Sequence, residues 1–97
     1  MKRNITPDMK ALYEAVLCLD SVEECARFFE DVCTIKEIQD ISQRYTVATL
    51  LNKGEKYQQI EAATGASTAT ISRVNKCLLY GSGGYRDALK KVDSKKS

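Results

Sequence analysis

Apolar residues recur three and four positions apart along most of the chain, the spacing that builds one face of an α-helix. Thr6-Pro7-Asp8 reads as a helix start: a capping hydroxyl, a proline in the first turn and a carboxylate near the positive end of the dipole. Met9, Leu12, Tyr13, Val16 and Leu17 then share one face. Asp20-Ser21 interrupts, and Ser21 with Glu24 forms a capping box for a second helix. Its apolar stripe is Val22, Cys25, Ala26, Phe29, Val32 and Cys33, widened by Phe28. Thr34 with Glu37 opens a third and longest helix, to about Asn52, with a seam of Ile35, Ile38, Ile41, Tyr45, Ala48 and Leu51 thickened by Val47 and Leu50. Gly54 closes it.

The pattern then tightens. Tyr57 to Ala63 is a short helix with Ile60 inward, and Gly65 supplies the left-handed conformation that ends it. Ser67 caps a helix that runs on through Leu78, with Ile71, Val74 and Leu78 as its buried stripe. Tyr80-Gly81-Ser82-Gly83-Gly84 reads as a flexible joint. Tyr85 to Val92 is a last short helix, with Tyr85, Ala88, Leu89 and Val92 on one side. Met1 to Ile5 and Asp93 to Ser97 are expected as mobile or frayed tails, Lys2 and Arg3 within reach of a phosphate.

The expectation is an all-α protein of about six helices in a single domain over 1–97, with dimerisation helices at 6–53, a helix-turn-helix at 56–78 and a C-terminal helix at 85–92. Phe28 on one flank and Val47 with Leu50 on another exceed what so small a subunit hides, and predict a second contact surface. A homodimer meets that need and sets two reading helices over two half-sites; a compact monomer with a wide core is the competing arrangement.

Charge sharpens this picture. Residues 1–40 hold five Lys/Arg against nine Asp/Glu, a net charge of −4, whereas residues 41–97 hold ten against four, a net charge of +6. The basic half contains the helix pair, as expected of a double-stranded DNA binder whose first half has another task. The outer face of the second helix carries Ser67, Thr68, Ala69, Thr70 and Ser72, then Arg73 and Lys76. Short side chains let a helix approach base edges; Arg73 and Lys76, with Gln58 and Gln59 at the start of the first helix, suit phosphates, and Lys53 and Lys56 extend the positive rim.

Other chemistry is thinly supplied. The chain has no histidine, and Cys18, Cys25, Cys33 and Cys77 make no CxxC pair, so neither a metal site nor a Cys–His nucleophile is expected, and no enzymatic activity or cofactor. No apolar run approaches the ~18 residues of a membrane span, which points to a cytoplasmic protein without a membrane partner. The same helix pair would also serve a protein-interaction module of the transcription machinery. An RNA reader would want exposed aromatic platforms that the pattern lacks.

The segment GASTATISRV, with SQR and LLNKGE upstream, resembles the Trp-repressor superfamily and within it the YerC/YecD-type small regulators, over roughly Thr34 to Leu89. The resemblance implies an intertwined helical dimer, N-terminal helices interlocked and helix-turn-helix units forming the reading heads, acting as a transcriptional regulator; a repressor is the expectation. It also implies a corepressor pocket for L-tryptophan: Arg44 matches an arginine that stacks on the indole, Arg73 one that pairs with the carboxylate, and Thr34 a pocket threonine. Cys77 stands where the family has a pocket serine, and the first half of the helix-turn-helix is one residue shorter. Val74 replaces a glycine that leaves room for the ligand. A β-branched side chain there is expected to exclude tryptophan through overpacking, leaving the effector, if there is one, a different small molecule.

Overall fold

The computed structural model describes residues 3–96 and forms six α-helices there: α1 (Pro7–Leu17), α2 (Val22–Val32), α3 (Ile35–Asn52), α4 (Tyr57–Thr64), α5 (Thr68–Tyr80) and α6 (Gly84–Lys96). No strand occurs among the described residues. Of the expected tails, Met1, Lys2 and Ser97 lie outside the described residues, and residues 3–6 have no regular structure. The helix starts follow from their caps. Thr6 Oγ1 accepts from the Met9 amide at 3.2 Å, and Ser21 Oγ from the Glu24 amide at 3.0 Å. The Thr34 box closes in both directions: Glu37 N donates to Thr34 Oγ1 at 3.1 Å, and Thr34 N donates to Glu37 Oε1 at 2.7 Å.

The chain divides into two compact units, one ending at Ile38 and the other beginning at Gln39. The first holds α1, α2 and the opening turn of α3, and none of its described residues is buried. Phe28 and Phe29 meet edge to face at 5.5 Å between centroids, but Leu17 remains 83% exposed and Val22 88%. The second unit holds the core: Val47 and Ala48 of α3, Ile60 of α4, Ala66 of the turn, Ile71, Val74 and Leu78 of α5, and Leu89 of α6.

That core corrects one expectation. Val47 is fully buried, and Leu50 packs against the core, so neither forms the spare flank that the pattern suggested. The expected seam is divided along its length: Ile35, Ile41 and Tyr45 are exposed, whereas Ala48 is buried and Leu51 packs against the core. The reason is geometric. The core side chains of α4, α5 and α6 cluster with Val47 and Ala48 in the C-terminal half of α3, and the exposed members of the seam all precede them.

Two helices also run further than expected. α5 continues to Tyr80, where Gly81 ends it; a side chain on Gly81 would collide with the Cys77 carbonyl oxygen. α6 begins at Gly84 and continues to Lys96, because Asp93, Ser94, Lys95 and Lys96 contain no breaker and the two lysines complement the negative end of the helix dipole. Arg86 Nη2 donates to the Leu79 carbonyl at 3.3 Å, tying the start of α6 to the end of α5. No helix among the described residues is long and apolar enough to cross a membrane.

Gly65 adopts φ +74° as the C-cap of α4, and a Cβ placed on it would meet nothing within 4 Å. Gly65→Ala should therefore cost only the left-handed backbone penalty, about 1–2 kcal/mol. Ile71→Ala, which empties a fully buried site, should cost about 2–5 kcal/mol. Chemical denaturation of the two variants should reproduce that ranking.

Candidate nucleic-acid interface

The α4–turn–α5 unit is held by a dense set of local bonds. The Gly65 amide donates to the Glu61 carbonyl at 2.9 Å, closing α4. Thr64 Oγ1 donates to the Ile60 carbonyl at 2.7 Å and accepts from the Ala66 amide at 3.1 Å, so one hydroxyl serves both the helix end and the turn. Ser67 Oγ accepts from the Thr70 amide at 3.1 Å and starts α5, as its sequence position predicts. Ala66, between these polar anchors, is buried at 4% exposure and pins the turn to the core. Gln43 Nε2 on α3 donates to the Thr64 carbonyl at 3.1 Å, clamping an otherwise orphaned carbonyl at the end of α4.

With Ile71, Val74 and Leu78 turned inward, the opposite face of α5 is set. At 100° per residue Ala69, Arg73, Lys76 and Tyr80 fall within about 60° of one another on that face, with Ser72 beside them. All five are exposed. Among the described residues neither Arg73 nor Lys76 has an ion-pair partner, so both charges are available to a ligand.

Several of the other expected contact residues have structural duties. Gln58 is exposed and unengaged, whereas Gln59 Oε1 accepts from the Lys56 amide at 3.3 Å and thereby caps α4. Ser67 also donates to Thr70 Oγ1 at 3.1 Å, and Thr70 is half-buried. Thr68 Oγ1 donates to Glu61 Oε1 at 2.9 Å, bridging α4 and the first residue of α5. Lys53 and Lys56 lie exposed upstream.

Residues named for an effector pocket are dispersed in role. Thr34 belongs to the first unit, where its hydroxyl and amide complete the α3 capping box. Arg44 and Arg73 are exposed. Cys77 lines an open cleft of about 380 Å³ with Tyr45, Ser82, Tyr85 and Ala88, and neither arginine is among its lining residues. Val74 is 2% exposed and packed within the core.

Three residues of this region escaped the sequence reading. Glu61 and Thr68 lie on different helices, so neither helix's own periodicity pairs them; the left-handed turn at Gly65 brings them together. Gln43 bonds to a residue 21 positions away, a link no local pattern announces. Tyr80, read as part of a joint, extends the outer row of α5 at 81% exposure; the signal for it was Gly81 as the true stop.

The family model described as Trp repressor protein matches residues 7–93. The chain is 52% identical over 85 residues to the uncharacterized protein YerC of Bacillus subtilis (strain 168), covering 88% of this chain and 82% of YerC. Among solved structures, a candidate Trp repressor from Staphylococcus aureus superposes with a TM-score of 0.87 at 43% identity, over 91% of this chain and 88% of its own. A TrpR-like protein from Eubacterium eligens ATCC 27750 gives 0.88 at 46% identity, over 91% of each chain. With its six-helix architecture and a family match spanning nearly its whole length, the chain belongs to the Trp repressor family.

Proposed function

We propose that this protein is a sequence-specific DNA-binding transcriptional regulator that acts as a homodimer and represses. The observation that carries the reading is the outer face of α5: short residues at its capped end, two unpaired cations further along, and a buried opposite side that fixes its direction. Helix-turn-helix proteins, Trp repressor among them, place the start of the second helix in the major groove. Ala69 and Ser72 then approach base edges while Arg73, Lys76 and Gln58 meet phosphates. Membership of a family described as Trp repressor supports repression as the direction of control.

The dimer rests on the first unit. A unit with no buried residue, and with Leu17, Val22 and Ile35 each more than three-quarters exposed, needs a partner surface. A second copy provides one, and two-fold symmetry supplies the second reading helix. Sedimentation should therefore report twice the 10.8 kDa chain mass. Leu17→Glu should shift it toward monomer or unfold it.

Selection from random duplex DNA should return a palindrome with half-sites about one helical turn apart. Arg73→Ala and Lys76→Ala should weaken binding to every sequence and each reduce the slope of log affinity against log salt by about 1. Ala69→Leu should instead change which sequence is preferred. A chain that ignored duplex DNA at low salt would return the helix pair to a protein-docking role.

Tryptophan control is not part of the proposal. Val74 occupies its space with the protein's own side chain, and Cys77 opens onto a cleft that neither candidate arginine lines. L-Tryptophan should leave the thermal unfolding midpoint unchanged; a saturable rise would show that the pocket survives Val74.

A further inference from the structure

Glu61 is the one carboxylate between Tyr57 and Tyr80, a stretch whose other charged residues, Arg73 and Lys76, are both cations. It is exposed, and its Oε1 accepts from Thr68 Oγ1 at 2.9 Å. Its own backbone carbonyl accepts from the Gly65 amide at 2.9 Å, so the residue is anchored in the turn whose geometry brings it to Thr68. The direction of the Thr68 bond is forced: an ionised carboxylate has no proton to give, so the single hydroxyl proton of Thr68 points at Glu61. What Thr68 then presents outward is its methyl group and the lone pairs of its oxygen. Thr68 is exposed and is the first residue of α5, capped by Ser67.

We infer that Glu61 sets the hydrogen-bond polarity of Thr68, making the first residue of the reading helix an obligate acceptor that selects an exocyclic base amino group in the major groove. The inference rests on α5 being the reading helix. Adenine N6 and cytosine N4 are the donors on the major-groove edge; guanine N7 and O6, adenine N7 and thymine O4 are acceptors. An unrestrained threonine hydroxyl would satisfy either kind. Tied to Glu61 it pairs only with the amino groups and is repelled by the acceptors. Glu61 is a positioning residue in this scheme and touches no base itself, while its negative charge penalises a shift that would bring a phosphate to the same place.

The test uses the full-length protein and the duplex it selects from random DNA. The motif position whose preference changes with Thr68→Val identifies the base pair that Thr68 meets. At that position the adenine or cytosine is replaced by its analogue lacking the exocyclic amino group, and in a second duplex an acceptor is removed by a 7-deaza purine. Wild-type affinity, read by fluorescence anisotropy, should fall about two- to tenfold on losing the amino group, the loss of one hydrogen bond, and stay level on losing the acceptor. Thr68→Val should be indifferent to both analogues, and Thr68→Ser should keep the wild-type profile. Glu61→Gln, whose amide can donate to Thr68 as well as accept from it and so no longer fixes the direction of the bond, should shrink the amino-group effect and introduce sensitivity to the acceptor. Both positions are exposed, so neither substitution disturbs the core. A wild-type protein sensitive to the acceptor and not the amino group, no motif position altered by Thr68→Val, or an unchanged profile in Glu61→Gln would each overturn the assignment while leaving DNA reading intact. A wild-type chain that selects no duplex would overturn DNA reading itself, and the assignment with it.

Discussion

The burial of Val47 and Ala48 beneath Ile60, Ile71 and Val74 is the contact on which the second unit depends. It joins α3, α4 and α5 through side chains that are all but inaccessible to water. Each large side chain so buried contributes about 1.5–3 kcal/mol. The polar bonds around it then act on a base that is already fixed. Gln43 adds direction to the α3–α4 contact, Ala66 holds the turn down, and Leu78 with Leu89 extends the cluster to α6. On the proposed function, a face of α5 that meets DNA through short side chains tolerates little error in placement, because short side chains cannot flex to recover a lost contact. The rigid base and the short reading residues are therefore one requirement seen from two sides.

The first unit obeys the opposite rule. Its helices are as well capped as those of the second, with Thr6, Ser21 and Thr34 all in place, yet capping settles only where a helix begins. Without buried side chains such helices gain little from packing within one chain, and packing rather than propensity supplies most helical stability in water. On the proposed function this is what links assembly to DNA reading: the acidic, apolar half completes itself only against a second copy, and completion delivers the second reading head.

Helix type, order and most caps were legible in the sequence because they depend on near neighbours. Gly65, Ser67 and the Ile71–Val74–Leu78 stripe each work within one or two turns, and the structure has all of them. The covered part of α3 was not legible in the same way. Ile35, Ile41 and Tyr45 belong to the same periodic seam as Ala48, but which turns of a helix are covered depends on where other helices land, and periodicity is silent on that. The same limit hid Gln43 and Glu61, whose partners are distant in sequence or lie across a turn. The length of α6 was missed for a different reason: its last turn is polar and its only signal is the absence of a breaker. For the contact surface itself, sequence named the exposed row but could not say that Gln59, Ser67 and Thr68 would already hold partners of their own.

Those internal partners change how the surface should be read. A residue already bonded within the protein meets a ligand with its remaining capacity alone, and that remainder is more selective than the free side chain. Val74 is the apolar counterpart of the same idea. Its side chain lies within the core, so the helix that carries Arg73 and Lys76 is braced by a permanent part of the chain rather than by a diffusible molecule. On the proposed function, a head braced this way has no need of a corepressor to take up its reading position. Occupancy of DNA would then follow the concentration of dimer and the salt dependence of its phosphate contacts, and selectivity would follow from groups such as Thr68 whose polarity is settled before DNA arrives.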